Sequence, residues 1–352
     1  MPSVYDTENF QRDNPASTIA LYQTAFPMPC RYSFDSFESV LRERYGSWDR
    51  EASRGEGASM RLRRAQEVVI PIQDEIIAAL GVSASFDARR EAAERAAFLR
   101  DYLRSSGQRA YVLGISGGVD SLTAGLIAQS AVKDLRQIGY ECEFVAVRLP
   151  YGEQMDERDA QLALSAIRPD RVAVINIKPA TDALWSEMTG SNYESADPGL
   201  RSTVLGNIKA RQRMVAQFAL AGTLGGLVIG TDHAAEAVMG FFTKFGDGAA
   251  DVLPLAGLNK RRVRAIASHL GAPAELISKV PTADLDDAMP LHPDEDAYGV
   301  TYDEIDDYLE GRGVAQAAVE TIQRAYRATA HKRALPVASN VQLLAPQGSN
   351  GR

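Results

Sequence analysis

The sequence is poor in cysteine, histidine and tryptophan: its 352 residues include two Cys, four His and two Trp. Two thiols, Cys30 and Cys142, cannot build a disulfide framework, and they fit a reducing cytoplasm. An excess of cations is also missing. Lys and Arg number 38 against 46 Asp and Glu, a formal net charge of −8. That balance is the reverse of the basic footprint of a nucleic-acid binder. The first ten residues contain Asp6 and Glu8 and no apolar run, so no signal peptide is read there. The stretch Met214 to Thr231 lacks charge and is long enough to be weighed as a membrane span. Gln217, Thr223, Gly222, Gly225 and Gly226 interrupt it. The spacing therefore predicts a buried helix stopping near Gly222, followed by a buried strand. No internal repeat of fixed period is visible.

What remains is ordinary globular composition, with 45% hydrophobic and 24% charged residues. The length suits one large domain or two small ones. Residues 1–59 form an irregular extension with scattered aromatics, and the segment from Arg50 to Ser59 reads as a linker. The matched domain spans 60–336, and the tail 337–352 reads as weakly ordered. From Met60 the pattern is helical, with Pro71 as a kink or break. Ala92, Ala96, Leu99 and Leu103 then recur as one helical face. Apolar runs follow at 110–115, 143–149, 171–177 and 226–231. Helix-like stretches lie between them at 120–138, 155–167, 181–188 and 205–220, with a polar loop at 191–199. Strands alternating with helices predict an α/β fold: a doubly wound, Rossmann-like parallel sheet flanked by helices. Such sheets bind ligands beyond the carboxyl ends of their strands.

The first run ends in Ser116-Gly117-Gly118-Val119-Asp120-Ser121. Two glycines let the backbone bend sharply and approach a phosphate. The following helix start supplies unpaired N–H groups and a positive dipole end. Ser116 and Ser121 add hydroxyl donors. Asp120 would repel a bare phosphate, but it suits Mg²⁺ bridging carboxylate and phosphate. Neither the Walker loop nor the G-x-G-x-x-G fingerprint is present. The plain alternative is a Gly-rich turn that only joins strand to helix.

Gly230-Thr-Asp-His-Ala-Ala-Glu236 sits where the fourth strand ends. Glu236 can join Asp120 as a metal ligand and Thr231 can bind nucleotide. Alone, the segment also reads as a helix capped by Thr231 or Asp232 with a surface glutamate. Next come Gly240-Phe-Phe-Thr-Lys-Phe-Gly-Asp-Gly248, Asp251, Pro254-Leu-Ala-Gly-Leu-Asn-Lys260 and Pro281-Thr-Ala-Asp-Leu285. A loop-rich stretch of this length is functional or disordered, and its Phe content argues for function.

Ser-Gly-Gly-x-Asp-Ser after a strand resembles the pyrophosphate loop of the N-type ATP pyrophosphatases, of the adenine nucleotide alpha-hydrolase-like fold. With Arg148-Leu-Pro-Tyr-Gly152, Gly206-Asn-Ile-Lys-Ala-Arg211, Phe241-Phe-Thr-Lys244, Tyr302-Asp-Glu-Ile-Asp-Asp-Tyr-Leu-Glu-Gly311 and His331-Lys332-Arg333, the chain closely resembles the ammonia-dependent NAD synthetases. The resemblance runs from about residue 60 to 336.

It implies that Gly114, Ile115, Ser116, Gly117, Gly118, Val119, Asp120 and Ser121 hold the ATP phosphates, and that Thr231, Lys260 and Thr282 also contact ATP. Asp120 and Glu236 would bind Mg²⁺. Arg211, Lys244, Asp251, His331 and Lys332 would hold deamido-NAD, with Asp251 as the candidate for handling an ammonia proton. Arg, Lys and His suit an anionic dinucleotide. Read alone, Lys260-Arg-Arg-Val-Arg264 is a solvated helix face, and His331-Lys332-Arg333 a charged helix end. The implied reaction joins ammonia to deamido-NAD with ATP, through an acyl-adenylate, giving NAD, AMP and pyrophosphate. No Ser/His/Asp or Cys/His nucleophile is required.

A homodimer is also implied, with 60–80 and 205–220 as interface helices, and neither nucleic acid nor membrane as partner. The extension 1–59 departs from the family pattern and is too short for a glutaminase domain. Other members of the superfamily, such as a tRNA thiolase or a GMP-synthetase-like enzyme, fit less well. The thiolases generally need reactive cysteines, and Cys142 is flanked by Glu141 and Glu143. A non-catalytic nucleotide-binding module would not need both carboxylates.

Overall fold

The computed structural model describes residues 72–152, 156–191, 193, 195–281 and 294–336. The extension 1–59, the expected break at Pro71 and the tail 337–352 lie outside the described residues.

After a short α1 (Ile72–Ala79), α2 (Ala88–Ser105) starts at Asp87, whose carboxylate accepts from the Arg90 N–H at 2.7 Å. Its face of Ala92, Ala96, Leu99 and Leu103 is buried, as the spacing predicts. The chain then alternates: β1 (Ala110–Gly114), α3 (Val119–Gln137), β2 (Glu143–Arg148), α4 (Glu157–Ile167), β3 (Arg171–Val174), α5 (Lys178–Gly190), α6 (Pro198–Leu224) and β4 (Gly226–Val228). Burying leucines such as Leu99, Leu122 and Leu135 between α2, α3 and the sheet stabilises the fold by about 1.5–3 kcal/mol each.

All pairings are parallel, in the order β3-β2-β1-β4. The first three strands are added in one direction. β4 then returns to the other side of β1, which makes the β1/β4 boundary the topological switch point. β4 pairs with β1 from Ala110↔Gly226 to Val112↔Val228, after which Ile229 turns to bridge Val252. The carboxyl end of β1 is thereby left open. The Gly114 N–H is met instead by Gln217 Oε1 of α6 at 2.8 Å.

The remaining helices are α7 (Ala234–Met239), α8 (Lys260–His269), α9 (Ala274–Ile277), α10 (Asp294–Tyr298), α11 (Tyr302–Leu309) and α12 (Gln316–Ala328), followed by a 3-10 turn at Ala330–Lys332. A second apolar cluster joins α1, α7, α11 and α12 through Ile77, Val238, Ile305, Leu309 and Ile322.

Two expectations change. The polar loop at 191–199 is cut short because α6 begins at Pro198. Proline is pre-organised for a first helical position, and Asp197 caps the helix by accepting from the Gly199 N–H at 2.9 Å. The same helix runs past Gly222 and stops at Gly225, which has φ of 58°. Its uncharged run is also not fully buried by its own chain. Within α6 the buried residues are Gly206, Ile208, Lys209, Ala210 and Ala221, while Val215 is 52% exposed. None of the helices among the described residues is long and apolar enough to cross a membrane.

Candidate active site

A cavity of about 740 Å³ opens beyond the carboxyl ends of β1 and β4. Ile115, Ser116, Gly118, Val119, Asp120 and Ser121 form one wall, with Thr231, Glu236, Lys260 and Lys332 among the residues on the others.

The 116–121 loop is braced from within. The Gly118 N–H donates to Ser116 Oγ at 3.2 Å, the Ser116 N–H to Ser121 Oγ at 3.3 Å, and the Ser121 hydroxyl to the Gly118 carbonyl at 3.2 Å. Gly118 is the N-cap of α3 and offers no side chain to its first turn. The helix end therefore meets the cavity uncapped, as an anion site requires. Gly117 has φ of 90°, and a Cβ there would lie 2.8 Å from the Ala160 backbone nitrogen. The loop is thus pressed against the start of α4. Buried Arg148 fixes its other end, donating to the Ile115 carbonyl at 2.5 Å and to Glu157 at 2.6 Å.

Asp120, Glu236 and Lys260 meet at the cavity floor, with buried His233 against all three. Lys260 Nζ donates to Asp120 Oδ2 at 2.7 Å. His233 Nε2 lies 3.4 Å from Asp120 Oδ1 and 3.5 Å from Glu236 Oε1. His233 is the N-cap of α7, and its Nδ1 accepts from the Glu236 N–H at 3.3 Å. That bond assigns the ring proton to Nε2, facing the carboxylates. The cap expected at Thr231 or Asp232 falls instead to His233, because α7 starts at Ala234.

Burial opposes ionisation of Asp120, but neighbouring Lys260 and His233 outweigh it and hold the carboxyl well below its usual range. Burial pushes Glu236 the other way, up to about 8; Asp120 adds to that shift while His233 and Lys260 offset part of it. One lysine therefore balances one carboxylate and leaves the second in want of a cation.

The donor set fits a divalent metal. Asp120 Oδ1 is buried without a hydrogen bond, and single ligand atoms of Asp120, His233 and Glu236 lie within 4.8 Å of one another. Two hard oxygens suit Mg²⁺. His233, whose Nδ1 is taken by the Glu236 N–H, faces the carboxylates with Nε2 at 3.4 and 3.5 Å and supports the pair rather than acting as a ligand.

The residues singled out from sequence separate into two groups. Thr231 and Lys260 line the cavity, as does Lys332, whose Nζ donates to the Gly240 and Phe242 carbonyls at 2.8 and 2.9 Å. Lys260 and Arg262 are 1% and 6% exposed, so 260–264 is not a solvated face. Arg211, Lys244 and His331 lie outside the cavity lining but are joined to one another. Arg211 Nη2 donates to the Lys244 carbonyl at 3.2 Å and Lys244 Nζ to the His331 carbonyl at 2.6 Å. Asp251 is exposed and off the cavity wall, and its carboxylate accepts from the Val228 N–H at 2.7 Å, extending the edge of β4. Thr282 lies outside the described residues.

Four cavity residues, Gln217, Asn207, Thr243 and Asp247, were not picked out from sequence, nor was buried His233 beside Asp120 and Glu236. The Thr243 hydroxyl donates to Asn207 Oδ1 at 2.7 Å, and its N–H to Asp247 Oδ1 at 2.8 Å. The signal available for Thr243 and Asp247 was the glycine pattern at 240–248. A Cβ at Gly246 or Gly248 would lie 2.9 Å from Thr243 or 2.5 Å from Phe242, so this loop is compact rather than open.

Comparison with known proteins follows the same lines. The profile of the family described as NAD synthase matches residues 91–336. An NH(3)-dependent NAD(+) synthetase from Streptomyces coelicolor is 60% identical over 269 residues, 76% of this chain and 98% of the relative. Among solved structures, the crystal structure of NAD+ synthetase from Burkholderia pseudomallei is similar with a TM-score of 0.66 and 56% identity, over 75% of this chain and 97% of that one. NMN synthetase from Francisella tularensis is similar at a TM-score of 0.63 and 34% identity, over 73% of this chain and all of its own.

Proposed function

This chain belongs to the NAD synthase family, and from that premise we propose how its site works. It is a ligase that forms a C–N bond, making NAD with ammonia. The acceptor is deamido-NAD and the energy source is ATP, cleaved to AMP and pyrophosphate. The observation that carries this reading is the uncapped start of α3, whose own Asp120 meets Glu236 and Lys260 at the same cavity.

The substrate carboxylate attacks the α-phosphorus, and the bond to pyrophosphate breaks. Ammonia then attacks the carbonyl carbon, loses a proton, and AMP departs. The first-turn amides of α3, with the braced hydroxyls of Ser116 and Ser121, receive the phosphates. Lys260, whose Nζ is 2.7 Å from Asp120 Oδ2, supplies positive charge to the nucleotide's phosphates. Asp120 and Glu236 hold Mg²⁺, which when bound neutralises phosphate charge and favours departure of pyrophosphate. Thr231 and Thr282 contact ATP as well. Lys332, in the cavity, and the joined Arg211, Lys244 and His331 bind the anionic dinucleotide. Asp251, whose carboxylate accepts from the Val228 N–H, is the remaining candidate for contacting the dinucleotide and for handling an ammonia proton. The protein's work is positioning and charge stabilisation in the cytoplasm, without nucleic acid or membrane.

The test mixes protein, Mg-ATP and ammonium with deamido-NAD or with the corresponding mononucleotide acid. NAD, AMP and pyrophosphate in equal amounts are expected with the dinucleotide, and poor turnover with glutamine. ADP as product overturns the ATP chemistry. Preference for the mononucleotide overturns the acceptor.

A homodimer is proposed on the half-exposed apolar side of α6, where Leu200 and Val215 are 50% and 52% exposed. Apolar side chains left exposed on this helix can be buried against a second copy. Light scattering at micromolar concentration is expected to give twice the chain mass, and an active monomer would contradict it.

A further inference from the structure

Lys260 is the first residue of α8, and its placement depends on a carboxylate from another helix. Asp306 of α11 is 2% exposed. Its Oδ1 accepts from the Lys260 N–H at 3.0 Å and its Oδ2 from the Arg261 N–H at 2.7 Å. The Asn259 side chain, as N-cap, accepts from the Arg262 N–H at 3.0 Å. The same side chain donates back to Glu310 at 2.8 Å and to the Asp306 carbonyl at 3.4 Å. The three leading amides of α8 are thereby all taken by protein groups. Unlike α3, this helix end does not meet the cavity as an anion site. A buried carboxylate against two amides at a helix start gains from charge-assisted hydrogen bonds and from the dipole.

We infer that Asp306 is a positioning residue for the reaction: by gripping the two leading amides of α8 it fixes where the Lys260 ammonium stands relative to Asp120 and the phosphate loop. The inference rests on the reading of Lys260 as a nucleotide contact. Lys260 reaches the site from the very end of its helix, where a chain otherwise frays most easily. Its side chain is buried between Asp120, His233 and the ring of Tyr302, whose centroid is 5.0 Å from Nζ. A small shift of the α8 start therefore moves the charge against a fixed phosphate loop, and misplacement by about 1 Å can cost on the order of 10²-fold in rate. Asp306 also lies in the 302–311 segment, on the α11 face that includes buried Ile305 and Leu309, so the clamp is anchored in the second apolar cluster.

The test is a double-mutant cycle on the full chain, using a radiometric pyrophosphate-release assay with saturating deamido-NAD and ammonium. Asp306→Asn keeps the volume but presents an amide N–H₂ to one of the two donors. Asp306→Glu keeps the charge and moves it by one methylene, and it carries the test if the first variant does not fold. Either is expected to lower kcat/KM for ATP by about 10- to 100-fold. In a Lys260→Met background the same change is expected to alter kcat/KM by less than about twofold, while the melting temperature falls equally in both backgrounds. An equal fold-loss with and without Lys260, or no loss at all, overturns the inference. Unchanged ATP kinetics in Lys260→Met alone overturns the reading of Lys260 itself, and the two failures are thereby told apart.

Discussion

Glu236→Gln is expected to lower kcat/KM by about 10²–10³-fold and, in metal-free buffer near pH 8.5, to raise the melting temperature. The two effects share one cause. Burial, then Asp120, pushes the Glu236 carboxyl up to about 8 from an ordinary 4.5. Between those values the folded protein holds a proton that the unfolded chain releases, so stability falls as pH rises across this window. The full penalty is present above it. Glutamine cannot ionise and escapes the penalty, but it gives up the charge that would hold Mg²⁺.

Asp120 behaves oppositely, because Lys260 and His233 hold its carboxyl low despite burial. Its contribution is present at neutral pH and is lost as pH falls through the depressed value. Asp120→Asn is therefore expected to lower activity by a similar factor and to destabilise the protein by about 3 kcal/mol, since it strands a buried lysine. Millimolar Mg²⁺ should raise the melting temperature of the unaltered protein and leave both variants unmoved. Equal shifts by Mg²⁺ in all three proteins would place the metal elsewhere. A Glu236→Gln variant destabilised at pH 8.5 would mean that the carboxyl has a partner that relieves it.

These opposite signs show what sequence can and cannot reveal. The strand-loop-helix at 110–121 was legible because periodicity, paired glycines and a helix start all agree on it. The alternating α/β order was legible for the same reason. Lys260 was not, on its own terms. A run of Lys-Arg-Arg at a helix start looks solvated, and only tertiary packing against Asp120 and Tyr302 buries it. His233 stayed hidden inside a motif whose flanking Thr231 and Asp232 are commoner caps, although its i, i+3 spacing to Glu236 placed it on the same face. Asp306 could not be read at all, since its role is a pair of backbone bonds to a helix 45 and 46 residues away in sequence. The extent of α6 was missed in part because glycines inside a helix lower local propensity while Asp197 and Pro198 at its start, and packing on the sheet, outweigh them.

Gly117→Ala is the sharpest test of the phosphate loop. At φ of 90° an L side chain is strained, which alone costs on the order of 1–3 kcal/mol. The added Cβ would also stand 2.8 Å from the Ala160 backbone nitrogen and 3.1 Å from Asp159 Cβ. Neither neighbour is the loose end of a long side chain, so the loop itself must move. Moving it breaks the Ser116–Gly118–Ser121 brace and tilts the first-turn amides of α3 away from the phosphates. The expected result is a fall in kcat/KM for ATP by about 10²-fold, with a melting temperature lower by several degrees. Gly118→Ala is the control. Its φ is −85° and the nearest atom to a new Cβ is Ser116 Oγ at 3.4 Å, so its melting temperature should match the unaltered protein. If Gly117→Ala keeps ATP kinetics within about threefold, the loop does not cradle the phosphates, and the nucleotide must sit against another part of the cavity wall.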